Sequence, residues 1–136
     1  MGYVFQDYFT DERPPRNLIR EWYGKQDTRI CAAFDGNIQL LEARIRQLDT
    51  DEETDLIKPL ERDCAGLWEV KIDLKDKKPF RHIRPIGLWN PEVRIFIFLG
   101  AFEKSGQIKI PSDPCRDALK YKAHYEAGRG AIDEHT

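Results

Sequence analysis

The spacing of apolar residues changes at Gly66, in the middle of this chain, and the change restricts what it can fold into. Between Arg16 and Leu48 apolar residues return every three or four positions: Leu18, Ile19, Trp22 and Tyr23, then Ile30, Phe34, Ile38, Leu41, Ile45 and Leu48. That is the spacing of helices with one buried face. After Gly66 the period is two. In LWEVKIDL (67–74), Trp68, Val70, Ile72 and Leu74 share one side, and Leu67, Glu69, Lys71 and Asp73 share the other, as in a half-buried strand. The polar run KDKKP turns the chain, FRHIRPI (80–86) returns it, and GLWNPE (87–92) turns it again. VRIFIFLGAF (93–102) is apolar at both parities after Arg94, which suits a central strand covered on both faces. Three consecutive antiparallel strands are expected.

The remaining segments complete the pattern. YVFQDYF (3–9) has strand composition and ends in the breaker run TDERPP; Gly24 stops the first helix, and Asp27 or Thr28 caps the second. The acidic run DTDEETD (49–55) ends that helix and leads into the loop LIKPLERDCAG (56–66). A last helix is expected from Asp113 to Ala127, followed by a flexible tail over residues 127–136. Helices segregated from a run of strands indicate an α+β fold with an antiparallel sheet, in a single domain over residues 1–136.

No apolar run approaches the ~18 residues a membrane helix needs, and the N-terminus lacks the basic-then-apolar layout of a signal peptide, so a cytoplasmic location is expected. The three cysteines, Cys31, Cys64 and Cys115, are odd in number and far apart, and are read as reduced thiols rather than a disulfide framework or a metal knuckle. The formal net charge of −2 conceals an asymmetry. Residues 1–57 carry 7 Lys and Arg against 12 Asp and Glu, whereas residues 58–130 carry 15 against 10. A basic half attracts a polyanion such as RNA through its local field.

With Leu74 placed opposite Phe80 in the hairpin, Lys71 and Arg81 become diagonal neighbours on the outward face, beside Glu69 and Asp73, and Lys104 adds a third cation where the next strand ends. His82 and Arg84 then fall on the opposite parity. His82 is expected to be packed and hydrogen-bonded, and Arg84 to reach an edge or pair with an acidic helix residue. The cluster has no Ser-His-Asp arrangement, no metal-ligand spacing and no Gly-rich phosphate loop, so no metal or cofactor is expected.

From Lys58 to about Tyr125 the sequence resembles the RelE/HigB toxins of bacterial type II toxin–antitoxin systems, in particular the phage-derived HigB-like branch. The likeness lies in the order of KPL before the hairpin, LWEVKI, FR opening the next strand, IFIFLGAFEKSG, a proline segment and a final helix. It implies a RelE-like fold: an antiparallel sheet of about four strands, two N-terminal helices packed on one face, and a C-terminal helix. It also implies an endoribonuclease that cuts mRNA on the ribosome. In that chemistry the ribose 2′-hydroxyl attacks the adjacent phosphate and cationic side chains stabilise the charge that develops. Carried onto this chain, the resemblance makes Lys71, Arg81 and Lys104 catalytic, with Glu69 for proton transfer. Lys58, Arg84, Trp89 and Lys109 are the candidate RNA contacts. The implied partners are mRNA, the ribosome and a cognate antitoxin protein, with no membrane. Two other readings remain open on the same scaffold: a non-enzymatic binder of the gyrase-poison kind, and an inactive prophage-derived domain.

Overall fold

The computed structural model describes residues 2–43 and 56–136. The described elements run β1 (Val4–Phe9), α1 (Leu18–Gly24), α2 (Thr28–Ala43), β2 (Ile57–Pro59), a 3-10 turn (Arg62–Cys64), β3 (Trp68–Val70), β4 (Ile72–Leu74), β5 (Arg81–Asn90), β6 (Ile95–Ser105), β7 (Ile108–Ile110), α3 (Cys115–Glu126) and β8 (Ala131–Glu134). The class is α+β. Ile45, Leu48 and the acidic run expected to end the second helix lie outside the described residues.

The RelE-like sheet of about four antiparallel strands is corrected. Eight strands form one mixed sheet in the order β2-β3-β5-β6-β1-β8, with β4 also on β5 and β7 also on β6. β1 lies parallel to β6, Val4 opposite Ile95 through Asp7 opposite Phe98. The additional strands β2, β7 and β8 hold three or four residues each, too few to show a period in the sequence. The C-terminal segment expected as a tail instead supplies β8, antiparallel to β1. Beyond β8 the His135 side chain is only 6% exposed, with its ring centroid 5.6 Å from Phe34 and 5.2 Å from Phe98 and its Nδ1 2.6 Å from Asp7 Oδ1.

Local chemistry starts the first two helices. The Asn17 side chain accepts from Arg20 N to cap α1, and Asp27 Oδ1 accepts from Ile30 N at 3.0 Å to cap α2. The α2 stripe Ile30, Phe34, Ile38 and Leu41 is buried against Phe5, Phe96, Phe98, Val70, Ile72 and Ile83. Burying each such side chain contributes about 1.5–3 kcal/mol. The other face of the sheet packs Ile86, Ile97, Leu99 and Phe102 against Ala118 and Tyr121 of α3. The sheet therefore lies between two helical layers.

One irregularity decides which side chains share a face. Ile86 stands opposite Gly100 but Gly87 opposite Phe98, so Leu99 is an extra residue on β6. Before this bulge Phe96 and Phe98 join the α1/α2 core, and Ile97 and Leu99 the α3 core. After it the parity is reversed, and Ala101 joins the first core and Phe102 the second. Glycine is required on the partner strand, because a Cβ at Gly87 would fall 1.8 Å from the Ile97 carbonyl oxygen.

The cysteine reading is also corrected. Cys64 and Cys115 form a disulfide, with Cα atoms 5.4 Å apart across a sequence separation of 51. It joins the 3-10 turn to the first residue of α3, and both cysteines are buried. Sequence spacing gave no sign of it, because the two meet only when α3 folds back over the sheet.

Candidate nucleic-acid interface

Register is where the expected site and the observed one part. Ile72 pairs with Ile83, Asp73 with His82 and Leu74 with Arg81, one position away from the expected pairing of Leu74 with Phe80. A slip of one residue moves side chains to the other face. Ile83 is fully buried in the α1/α2 core, and Arg81, two residues away, faces the same side. The expected patch of Lys71, Arg81 and Lys104 does not form.

Arg81 instead fastens a helix to the sheet. Its Nε and Nη2 donate to the two carboxylate oxygens of Glu103 at 2.8 and 2.7 Å, and its Nη1 donates to Asp27 Oδ2 at 2.6 Å. Asp27 is the residue that caps α2, so one guanidinium ties the helix start to β5 and β6. The hydrogen bond from Arg81, then that from the Ile30 amide, holds the Asp27 carboxyl below the usual carboxylate range.

On the opposite face the ladder assembles a different set. Asp73 is opposite His82, His82 opposite Lys104, and Lys104 opposite Lys109, forming one row across β4, β5, β6 and β7. Directly opposed side chains stand about 4.5–5.5 Å apart at Cβ. The reversal of parity at the bulge is what brings Lys104 here and sends Glu103 to Arg81. Along the same face Lys58 is opposite Glu69. Lys71, in the break between β3 and β4, lies between Glu69 and Asp73, and its backbone amide donates to the Leu56 carbonyl at 2.8 Å. Five cations, Lys58, Lys71, Arg84, Lys104 and Lys109, therefore share this face with two carboxylates.

His82 Nδ1 is 2.8 Å from Asp73 Oδ1, and the His82 side chain is 33% exposed. In the neutral tautomer whose Nδ1–H donates to the carboxylate, Nε2 carries the lone pair. Burial by itself would raise the Asp73 pKa, but the hydrogen bonds from His82 and Arg84 outweigh it and hold the carboxyl below its ordinary value. Arg84 is the buried hub of the face. Its Nη1 donates to Asp73 Oδ1 at 2.9 Å, to the Ile83 carbonyl at 2.9 Å and to the Ile72 carbonyl at 3.3 Å, while its Nε lies 4.0 Å from Glu69 Oε2. Glu69 behaves in the opposite way to Asp73. Desolvation pushes its pKa up, and the opposing charges of Arg84, Lys104, Lys71 and Lys109 do not cancel the rise.

Of the expected RNA contacts, Lys58 and Lys109 lie on this face, with Lys109 Nζ 5.4 Å from the Phe102 ring centroid. Arg84 is on it but buried, with donors turned inward. Trp89 is elsewhere, half-buried in the α1/α2 core with its ring 5.3 Å from Tyr3 and 6.3 Å from Phe96. Sequence reasoning missed the pairing of Asp73 with His82. Its signal was present in the alternation, which already set His82 and Arg84 on the parity opposite to Arg81. Only the hairpin register was needed to add Asp73.

Among the described residues no group of three or more His, Cys, Asp or Glu is placed to hold a metal ion, and no helix is long and apolar enough to cross a membrane. No family model, no curated protein and no solved structure matches this chain.

Proposed function

We propose that the Asp73–His82–Lys104–Lys109 face binds RNA and cleaves it by attack of a ribose 2′-hydroxyl on the adjacent phosphate. The observation that carries this reading is the partly exposed His82, oriented by Asp73 and directly opposite Lys104 on the neighbouring strand. The reaction asks little covalent chemistry of the protein: a proton must leave the 2′-oxygen, charge on the phosphorane must be stabilised and the 5′-oxygen must be protonated. His82 Nε2 takes the first proton. Lys104 and Lys71 supply positive charge to the phosphate oxygens. Glu69, whose pKa is raised by desolvation, is the second group able to give or take a proton. Arg84 acts through Asp73 and Glu69 by holding both carboxylates in place.

Messenger RNA is the substrate this reading favours, cut on the ribosome in the cytoplasm, with an acidic antitoxin covering the cationic face. These finer elements come from the resemblance of the LWEVKI, FR and FEK segments to the RelE/HigB toxins. The Cys64–Cys115 disulfide counts against the cytoplasmic element, since such bonds are rare in cytosolic proteins.

The test is cleavage of a fluorescent single-stranded RNA by the wild type and by His82→Gln and Lys104→Ala. His82→Gln lowers the rate by about 10²–10⁴-fold, the range of a lost general acid or base. Products ending in a 2′,3′-cyclic phosphate support 2′-hydroxyl attack. Cleavage that persists unchanged in His82→Gln removes the basis of the proposal.

A further inference from the structure

Phe80 is 51% exposed, the only aromatic side chain among the large exposed hydrophobics of the described residues. It ends the loop between β4 and β5, two residues before His82, and that loop also carries the exposed Lys75, Lys77 and Lys78. A solvent-facing ring adds nothing to either core, yet its mounting is well fastened. Arg29 of α2, whose side chain is 19% exposed, reaches across and donates to the Pro79 carbonyl at 2.9 Å, to the Lys77 carbonyl at 2.8 Å and to Asp76 Oδ1 at 3.1 Å. Two of these hydrogen bonds hold the backbone on which the ring stands, and the third holds a side chain of the same loop. The acceptors are two carbonyls and the Asp76 carboxylate, so no lysine ammonium is used in holding the loop.

An exposed aromatic interleaved with cations is what a single nucleic-acid strand recognises: the backbone follows the charge, and an unstacked base lies on the ring. We infer that the β4–β5 loop is a base-stacking platform, in which Phe80 receives one base of a single strand while Lys75, Lys77 and Lys78 contact its phosphates. This deepens the proposed function and rests on it. It restricts the substrate to single-stranded RNA, because the bases of a duplex are already stacked on one another. Holding the loop backbone in advance removes an ordering cost that a mobile loop would incur on binding.

Binding is measured by fluorescence anisotropy with a short single-stranded RNA, 2′-O-methylated so that it cannot be cut. Phe80→Ala weakens binding by about 5- to 150-fold, the range given by loss of one stacked base, and Phe80→Trp restores it. The penalty shrinks when the strand is abasic, and a duplex of the same sequence is bound without dependence on Phe80. Thermal melts of the variants accompany the titrations, since an exposed side chain should leave stability unchanged. If Phe80→Ala binds the single strand as tightly as the wild type while Lys104→Ala weakens it, the platform is overturned and the RNA reading survives. If the wild type does not bind the single strand at all, both fall.

Discussion

The two faces of the sheet hold their helices by different means, and the difference separates structure from site. On the α1/α2 face charges are consumed in pairs: Arg81 by Glu103 and Asp27, and Arg29 by Asp76 and two carbonyls. On the other face α3 is anchored covalently at its first residue by the Cys64–Cys115 disulfide and packs on Ile86, Leu99 and Phe102. The strands beside α3 are left to carry cations in excess of carboxylates. Among the described residues Lys71 and Lys104 form no ion pair, and both contribute positive charge felt by Glu69. A charge tied to a structural partner has little left for a ligand, whereas a cation without an ion-pair partner keeps its field available.

The comparison can be broken at its strongest fastening first. Replacing both Cys64 and Cys115 by Ala should cost about 2–4 kcal/mol in urea unfolding, the typical range for a disulfide, and should loosen α3 before α2 in hydrogen exchange. Titration of free thiols under non-reducing conditions tests the bond directly: one reactive thiol, Cys31, is expected, and three would return the cysteines to the reduced state read from the sequence.

The second test is Arg81→Met. Loss of three charge-assisted hydrogen bonds should lower stability by about 2 kcal/mol, reduced from the fully buried case because the pair is partly exposed. RNA cleavage per folded molecule should not change. A folded Arg81→Met protein with cleavage reduced 100-fold or so, a loss typical of a catalytic contact, would return Arg81 to the site.

The smallest effect is a pH dependence from Glu69. Its pKa is raised in the folded state, so folding takes up a proton above the ordinary glutamate value of 4.5. Wild-type stability therefore falls as pH rises through the window from that value to the raised one. Glu69→Gln lacks this slope, so its stability relative to the wild type should climb over that window and then level off. Asp73 has the opposite sign, because its depressed pKa gives stability that is lost as pH falls through the folded value. Thermal melts across pH separate the two, and a Glu69→Gln curve parallel to the wild type would show that Glu69 is not desolvated.

Much of the molecule was legible in the sequence for simple reasons. Helical spacing marked Ile30, Phe34, Ile38 and Leu41 as the buried stripe of α2. Alternation in LWEVKIDL put Glu69, Lys71 and Asp73 on one face, and the observed strands agree. Such patterns are local: each residue's side is fixed by its neighbours through the period of the element.

What tertiary structure decided was how those faces meet. Whether Asp73 stands opposite His82 or Arg81 turns on a single step of register. Whether Lys104 or Glu103 joins it turns on one extra residue at Leu99. The parallel union of β1 with β6, the docking of β8 and the meeting of Cys64 with Cys115 are equally non-local. The physical reason is shared. Period specifies the direction of a side chain within its own strand, whereas its neighbour across the sheet is set by turn length, bulges and packing of whole layers, which act only once the chain has folded.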